Sequence, residues 1–299
     1  MGEIKSFRKT RIAPTPSGYL HLGNVLSFVL TAALAGRGAS LAASLRRPQG
    51  AAIFLRIDDF DRQRVSRDYV EDIFETLDFL GIPWDEGPRN FAEYEQMYSQ
   101  VHRLELYRAA LQQLRVGGKL FACDCSRAKV LRESPDGWYP GTCREKRLSL
   151  DAEGCSWRIN TDGAALPAEM TDFVVRKKDG FPAYQLISVV DDLYYGVDLV
   201  VRGEDLWPST LAQQWLAGQL GREEFGRIGF FHHPLLMTLN GGKLSKSAGA
   251  DSVHYLRLQG VEPSGLYGMI VRMLGLDFHA GSWEELARGL SKEWSDFEW

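Results

Sequence analysis

Strand patterns followed by helix patterns occur at both ends of the sequence and are lost in the middle. The strand-like stretches "TRIAP" and "AAIFLRIDD" each precede a segment with apolar residues at helical spacing, about 22–34 and 66–80. Ser66 is a plausible N-cap of the second helix, and Gly81 ends it. Alternation of this kind predicts an α/β fold with a parallel sheet.

The middle and the end of the chain complete this outline. From position 123 to about 166 the sequence is rich in cysteine, glycine, proline and charge and has little periodicity, which indicates an insertion in the sheet domain. A helix is predicted from about 94 to 116, strand patterns with a turn at Asp179-Gly180 over 172–206, a helix at "STLAQQWLAGQL", and a helical tail from Pro263. A length of 299 residues suggests about two domains.

Composition excludes several classes of protein. The net charge of −4 gives no global attraction to nucleic acid, so such a partner would need local basic patches. No apolar run reaches the roughly 18 residues of a membrane span. The basic residues before "LSFVLTAALA" resemble an export leader, but Pro14, Pro16 and Gly18 interrupt that pattern, and a cytoplasmic location is expected. Nothing fixes the oligomeric state, so a monomer is the default expectation.

Two short motifs carry the chemistry. In "PSGYLHLGN" a strand ends, a Pro/Gly turn follows, and a helix begins near His21 and Gly23, so backbone N–H groups and the positive helix end can meet a phosphate. In "KLSKS" the lysines Lys243 and Lys246 form a cationic clamp for a polyphosphate. Taken singly, the two motifs are better explained by a helix-capping histidine and a solvated basic loop.

Together, the two motifs resemble the HIGH and KMSKS signatures of class I aminoacyl-tRNA synthetases. The stretches "RIAPTPSGYLHLGN", "LRIDDFDRQR", "LDFLGIPWDEGP" and "VVRGEDL" are similar to the glutamyl branch in particular, and the likeness runs from about Arg11 to Gly249. Asn24 stands where the general signature has its second histidine. The large helical anticodon-binding region of that branch has no counterpart here. This resembles a short paralogue that joins glutamate to the queuosine base of tRNA(Asp), and "YPGTCR" and "DGFPAYQL" also match it.

The resemblance implies a Rossmann-like parallel sheet, an inserted zinc-containing subdomain of the acceptor-binding type, and a short helical C-terminal part. The expected domains are 1–92 and 197–250 for the two catalytic halves, 93–196 for the insertion, and 251–299 for the C-terminal extension. It also implies ATP with Mg²⁺, L-glutamate and a queuosine-bearing tRNA(Asp) as substrates. His21, Gly23, Asn24, Lys243 and Lys246 would act on ATP.

The resemblance also assigns residues to both ends of the glutamate substrate, its side-chain carboxylate and its ammonium group. The resemblance assigns Arg11 and Arg202 to its side-chain carboxylate, and lines the pocket with Ala13, Thr15 and Tyr184. A guanidinium suits a carboxylate, whereas a strand-end ion pair with Glu204 or Asp205 is the alternative for Arg202. The ammonium-binding acid would be Asp58, one methylene shorter than the usual glutamate of the family.

All four cysteines fall within one window, at positions 123, 125, 143 and 155. Cys123, Cys125 and Cys143 are candidate ligands of one structural zinc ion per chain, with the fourth ligand left open by spacing alone. The resemblance implies Tyr139 for that place, while Cys155 is an alternative. Reduced thiols packing a loop would explain the same residues without a metal.

The cysteine window is also locally basic. Six lysines or arginines face three acids over residues 127–147, a surplus of +3, and Arg176-Lys177-Lys178 forms a further cluster. These residues suit RNA phosphates, although a solvated face is the alternative. Other functions compatible with the motifs are a shortened synthetase charging a terminal ribose, a non-catalytic RNA-binding paralogue, and a nucleotidyltransferase acting on another acid.

Overall fold

Four strands form a parallel sheet, as the alternating pattern predicts. The computed structural model describes residues 7–36, 50–237 and 252–294. The strands are β1 (Lys9–Ile12), β2 (Ala52–Leu55), β6 (Leu199–Gly203) and β7 (Gly229–His233), in the order β2-β1-β6-β7. Strands distant in sequence are therefore neighbours, and their carboxyl ends meet at one edge, where ligands bind in open parallel sheets.

Two predicted helices are confirmed beside this sheet. Helix α1 (Leu22–Leu34) is almost wholly buried, because it lies between the sheet and the C-terminal helices in one apolar core. Helix α2 (Arg67–Leu80) begins where the Ser66 hydroxyl accepts the Tyr69 N–H, and it ends at Gly81. Gly81 has φ +65°, a backbone conformation that glycine adopts without strain.

The predicted continuous helix over 94–116 is wrong. The segment instead contains one helical turn at Phe91–Glu93, a π-helix at Tyr94–Tyr98 and a 3-10 helix at Gln100–Arg103, before α3 (Leu104–Val116). The break falls at Ser99, whose backbone is not helical (φ −53°, ψ 141°) and whose hydroxyl donates to the Asp59 carboxylate over 2.5 Å. This buried polar contact outweighs the local preference for a straight helix.

A second, antiparallel sheet lies in the middle of the chain. Its strands are β3 (Leu120–Cys123), β4 (Ser156–Ile159) and β5 (Val174–Arg176), in the order β3-β4-β5, with helix α4 (Arg127–Glu133) after β3. The predicted turn at Asp179-Gly180 follows β5, since the Gly180 N–H donates to the Lys177 carbonyl.

The strand pattern predicted across 172–206 is wrong for its central part, which forms helix α5 (Tyr184–Tyr194). The β-branched residues there favour a strand, but a buried ion pair fixes the helix. Asp191 accepts a bidentate pair from Arg103 at 2.8 and 2.9 Å, and the Tyr107 hydroxyl at 2.6 Å.

The remaining helices agree with expectation. They are α6 (Trp207–Gln219), α7 (Val253–Leu258), α8 (Pro263–Met273) and α9 (Trp283–Glu293). Tyr267 and Leu286, on the last two, are fully buried in the core that contains α1. Among the described residues, no helix has the length and apolar character needed to cross a membrane.

The described residues form two compact units. The first draws on Met1–His102, Val197–Glu204 and Gly229–Trp299, and the second on Arg103–Gly196 and Asp205–Ile228. Residues 205–228, assigned from the sequence to the second catalytic half, therefore cluster with the second unit. A side-chain hydrogen bond of 2.9 Å from Gln213 on α6 to Gln185 on α5 explains this grouping. The predicted domain boundaries themselves stay a prediction.

Candidate active site and metal centre

The turn after β1 places three predicted site residues at the start of α1. His21 is the N-cap with extended backbone, and its N–H donates to Oδ1 of Asn24 over 3.0 Å. A Cβ atom at Gly23 would lie 3.0 Å from the His21 ring, so a larger residue there would crowd that ring. His21, Gly23 and Asn24 thus share the first helical turn, where N–H groups and the positive helix end suit a phosphate.

A segment from the C-terminal part of the chain holds this turn in place. Ser252 forms an antiparallel bridge with His21, and the Val253 N–H donates to the Leu20 carbonyl over 2.8 Å. The rings of Tyr19 and His254 stack at 4.0 Å with an interplanar angle of 6°. The geometry of the turn therefore depends on residues about 230 positions away in sequence.

The contacts that hold this turn extend to helix α2. Nδ1 of His254 lies 2.8 Å from a carboxylate oxygen of the buried Asp72, and Arg257 reaches the same oxygen at 3.1 Å. Burial raises the pKa of Asp72, against the opposing effects of His254 and Arg257. The stacked pair is thus anchored by a polar group on a separate helix.

Two buried arginines lie on the neighbouring strands β1 and β6. The residues Arg11 and Arg202 are only 6% and 5% exposed. Nη1 of Arg11 donates to the carbonyl of Val201, the residue before Arg202, over 3.2 Å, and the Arg202 guanidinium lies 5.2 Å from the Phe230 ring centroid. Two guanidinium groups on adjacent strands, near the carboxyl edge of the sheet, create a positively charged site suited to a carboxylate.

The other predicted site residues lie in different parts of the chain. Ala13 and Thr15 follow β1, where the Thr15 carbonyl accepts the Ser17 N–H over 2.9 Å. Tyr184 is the first residue of α5 in the second unit and is 44% exposed. Lys243 and Lys246 lie outside the described residues.

Asp58 follows β2 at the same edge, and its carboxylate is engaged by Arg56. Nε and Nη2 of Arg56 donate to the two oxygens of Asp58 over 2.6 and 3.1 Å, and the Gln100 amide lies 3.3 Å from one of them. A ligand ammonium at Asp58 would share the carboxylate with this guanidinium. Sequence reasoning missed Arg56, although residues two apart in extended chain point to the same side.

Asp59 is a further acid that sequence reasoning did not single out. It is fully buried and accepts the hydroxyls of Tyr94 and Ser99, the Gln100 N–H, and Nη1 of Arg62 at 2.7 Å. Its neighbour Asp58 is therefore placed by a rigid polar network.

His233 was also missed. It is 2% exposed at the carboxyl end of β7, and its Nε2 lies 2.7 Å from the hydroxyl of Ser27 on α1, while Nδ1 lies 2.9 Å from the Pro234 carbonyl. The end of this strand is thereby tied to the helix that carries the phosphate-type turn. Its position just after an apolar strand was the only signal in the sequence.

Three cysteines of the second unit form a cluster that can hold a metal ion. The Sγ atoms of Cys123, Cys125 and Cys143 all lie within 4.8 Å of one another, and all three residues are buried. The Tyr139 hydroxyl accepts the Cys143 N–H over 2.8 Å and packs in the same cluster. Within the described part of the chain, Cys155 is buried but does not join this group.

Electrostatics at the cluster fits thiolate ligands. Burial by itself would raise the pKa of Cys123, but hydrogen bonds from Tyr139 and from Arg158 outweigh it and lower that pKa to about 7. Burial and the neighbouring sulfurs raise the pKa of Cys125 to about 12, and burial beside Cys123 raises the pKa of Tyr139. Negative charges this close repel one another, so a bound cation would relieve the cost of deprotonating them.

Charged residues surround the cluster. The Arg158 guanidinium lies 3.6 Å from the Tyr139 ring centroid and donates to the Asp172 carbonyl over 2.7 Å. The pKa of Asp124 falls to about 2, because the Cys143 thiol and Lys146 both donate hydrogen bonds to it. These side chains fix the orientation of the three sulfurs.

Comparison with known proteins agrees with this fold and these motifs. The sequence matches the family described as tRNA synthetases class I (E and Q), catalytic domain, over residues 8–137 and 155–284. The fold is similar to a crystal structure of glutamate-tRNA synthetase from Elizabethkingia anophelis, with a TM-score of 0.69 at 22% identity, covering 95% of this chain and 66% of that one. The fold is therefore that of the class I aminoacyl-tRNA synthetase catalytic domain.

Two curated relatives differ in how much of their own length is matched. The glutamyl-Q tRNA(Asp) synthetase of Symbiobacterium thermophilum is 38% identical over 293 residues, covering 89% of this chain and 86% of that protein. A glutamate–tRNA ligase of Dehalococcoides mccartyi is 34% identical, covering 88% of this chain but 55% of the ligase. The chain thus belongs to the class I glutamyl/glutaminyl synthetase family and, within it, to the glutamyl-Q tRNA(Asp) synthetases.

Proposed function

We propose that this enzyme activates L-glutamate with ATP in the absence of tRNA and then transfers it to the queuosine base in the anticodon of tRNA(Asp). The observation that carries the proposal is the pair of buried arginines, Arg11 and Arg202, on adjacent strands of a class I synthetase sheet. Membership in the glutamyl-Q group supports the acceptor.

Glutamate would bind with its side-chain carboxylate against Arg11 and Arg202. Glutamine lacks that charge and would leave the guanidinium groups without their anion, which gives the site its discrimination. Ala13 and Thr15 would line the pocket, and Asp58 would face the ammonium while Arg56 holds the Asp58 carboxylate in its orientation.

ATP would bind with its phosphates toward the first turn of α1, at His21, Gly23 and Asn24, accompanied by Mg²⁺. An oxygen of the glutamate α-carboxylate attacks the α-phosphorus, the bond to the β-phosphate bridging oxygen breaks, and pyrophosphate leaves. Lys243 and Lys246 would neutralise the charge that develops on the phosphates, a contribution of about 3 kcal/mol for a well-placed group. The product is glutamyl-adenylate.

Transfer then requires a nucleophile on the queuosine base to attack the carbonyl carbon of the adenylate, with AMP as the leaving group. The chain matches nearly the full length of a glutamyl-Q synthetase but only 55% of a glutamate–tRNA ligase. The likeness to the glutamyl-Q synthetase, at 38% identity over 293 residues, supports queuosine as the acceptor.

The cysteine cluster would hold one structural zinc ion through Cys123, Cys125 and Cys143, with Tyr139 as the fourth ligand. Zinc prefers four ligands and lowers the pKa of a bound group, and this shift would offset the raised pKa of Tyr139. When bound, the ion would stabilise the fold of this part of the chain without entering the reaction.

Exchange of labelled pyrophosphate into ATP tests the first half-reaction. We expect exchange that depends on glutamate and proceeds without tRNA; no exchange with any amino acid would contradict the proposal. Glutamate transfer to tRNA(Asp) with and without queuosine tests the second half. Transfer only to the queuosine-bearing tRNA supports the acceptor, whereas charging of a terminal ribose would identify a shortened glutamate–tRNA ligase.

A further inference from the structure

A cleft in the second unit combines arginine and aromatic side chains away from the cysteine cluster. Its volume is about 450 Å³, and it lies between helix α3 and the turn after β5. Arg108, Trp157, Arg176 and Phe181 are among its lining residues. The volume falls in the range of pockets that hold a small ligand or one part of a larger one.

Arg176 and Trp157 form the rigid wall of the cleft. They are direct cross-strand partners on β5 and β4, and the Arg176 guanidinium lies 4.8 Å from the indole centroid. The indole is itself held by a hydrogen bond from Nε1 to the Leu150 carbonyl over 2.6 Å. The guanidinium therefore lies on a fixed aromatic surface.

Arg176 also supplies the net positive charge of the cleft. Arg108 pairs with Glu105 at 2.6 Å, and Asp179 pairs with Lys177 at 3.1 Å, so these charges are locally balanced. Among the described residues Arg176 forms no ion pair, and the Asp151 carboxylate, which interacts with it at longer range, is itself paired with Arg115. A stacked guanidinium that makes no ion pair of its own is suited to an incoming anion.

Gly180 leaves this guanidinium accessible from the turn. Its φ is +87°, and a Cβ atom there would lie 3.4 Å from Nη2 of Arg176. A side chain at this position would be strained and would cover the guanidinium. The half-buried Phe181 ring follows directly and provides a second aromatic surface beside the charge.

We propose that this cleft binds one unstacked nucleotide of the tRNA substrate, with Arg176 on its phosphate and Phe181 against its base. Unpaired RNA nucleotides are recognised through aromatic and guanidinium planes combined with charge on the backbone. That the partner is a tRNA rests on the proposed function, whereas the charge and aromatic lining of the cleft do not depend on it.

The test compares Arg176→Ala with the wild-type protein in two assays. In glutamate transfer to queuosine-bearing tRNA(Asp), we expect the KM for tRNA to rise about tenfold. The slope of log affinity against log salt should fall by about 0.7 to 0.9, the loss of one phosphate contact. Glutamate-dependent pyrophosphate exchange without tRNA should stay unchanged. Arg176→Lys keeps the positive charge but lacks the planar guanidinium group, and it should give a smaller rise in the KM for tRNA.

Arg227→Ala is the matched control, because Arg227 is an exposed arginine of the same unit that does not line the cleft. Three results would overturn the proposal. Arg176→Ala could leave the KM for tRNA unchanged, or raise it no more than Arg227→Ala does. It could also lose exchange and transfer to the same extent. If the wild-type protein exchanges pyrophosphate but transfers nothing, the proposed acceptor fails. Binding of fluorescent tRNA then decides the cleft: about tenfold weaker binding by Arg176→Ala supports it, and equal binding overturns it.

Discussion

The edge of the parallel sheet and the cysteine cluster assemble their side chains in opposite ways. At the sheet edge, Arg11, Asp58 and Arg202 come from distant parts of the sequence, and strand order places them at or just beyond the carboxyl ends of three neighbouring strands. In the cluster, three sulfurs come from a window of 21 positions, 123–143, in which secondary structure is sparse. Backbone pairing builds the first site, whereas side chains that favour a cation build the second.

This difference predicts different sensitivities. Removing one side chain at the sheet edge should change chemistry and leave the fold intact, since the strands pair through their backbones. Removing one sulfur from the cluster should change stability first, because metal-binding free energy is also folding free energy.

The largest expected effect is that of Arg202→Ala on glutamate activation. We expect kcat/KM for glutamate in pyrophosphate exchange to fall about 100-fold or more, because a buried carboxylate would lose its fork of donors. The melting temperature should change little. Arg132→Ala, an exposed arginine on α4, is the control and should keep wild-type exchange. Equal activity of the two variants would refute the assignment of Arg202.

The second prediction concerns Cys143→Ala, compared with Cys155→Ala as a matched buried cysteine. Cys143→Ala should lose the zinc ion and lower the melting temperature by about 5 °C or more. Cys155→Ala should keep the metal, since its sulfur is outside the cluster. Metal analysis by mass spectrometry and a thermal melt provide the measurements. Full zinc content in Cys143→Ala, or its loss from Cys155→Ala, would assign the ligands differently.

A smaller effect is expected for Asp58→Asn. The variant loses the charge that would face the substrate ammonium, yet retains an oxygen for Arg56, so we expect the KM for glutamate to rise about tenfold with a smaller change in kcat. Asp61→Asn, at an exposed acid on the same loop, is the control. If Asp58→Asn leaves the KM for glutamate unchanged, the carboxylate serves only to hold Arg56.

Much of the sheet site could be predicted, because its elements carry strong local patterns. The helices at Leu22–Leu34 and Arg67–Leu80 follow from apolar spacing, and the Pro/Gly turn places His21 at a helix start. Parallel order follows from alternation of strands and helices. A buried strand end followed by charged residues also places Arg56 to Asp59 at the edge, although not their partners.

The errors have one cause, which is tertiary contacts between polar groups. Asp59 interrupts the helix expected over 94–116 by accepting the Ser99 hydroxyl, and Asp191 fixes a helix where β-branched residues favour a strand. Neither partner lies near in sequence, so periodicity carries no trace of either contact. Cysteine spacing predicted that the three sulfurs lie close together. Only the structure showed that Cys155 lies outside their cluster.

The smallest predicted effect tests whether backbone pairing alone holds the residues at the sheet edge in place. The turn that carries His21 is also fastened by the stacked rings of Tyr19 and His254, a side-chain contact between distant segments. Because such stacking contributes about 1 kcal/mol, Tyr19→Leu should raise the KM for ATP about fivefold and leave the KM for glutamate unchanged. Tyr255→Leu, at an exposed neighbour on α7, is the control. An unaltered KM for ATP would mean that backbone contacts alone, such as Val253 to Leu20, hold the turn.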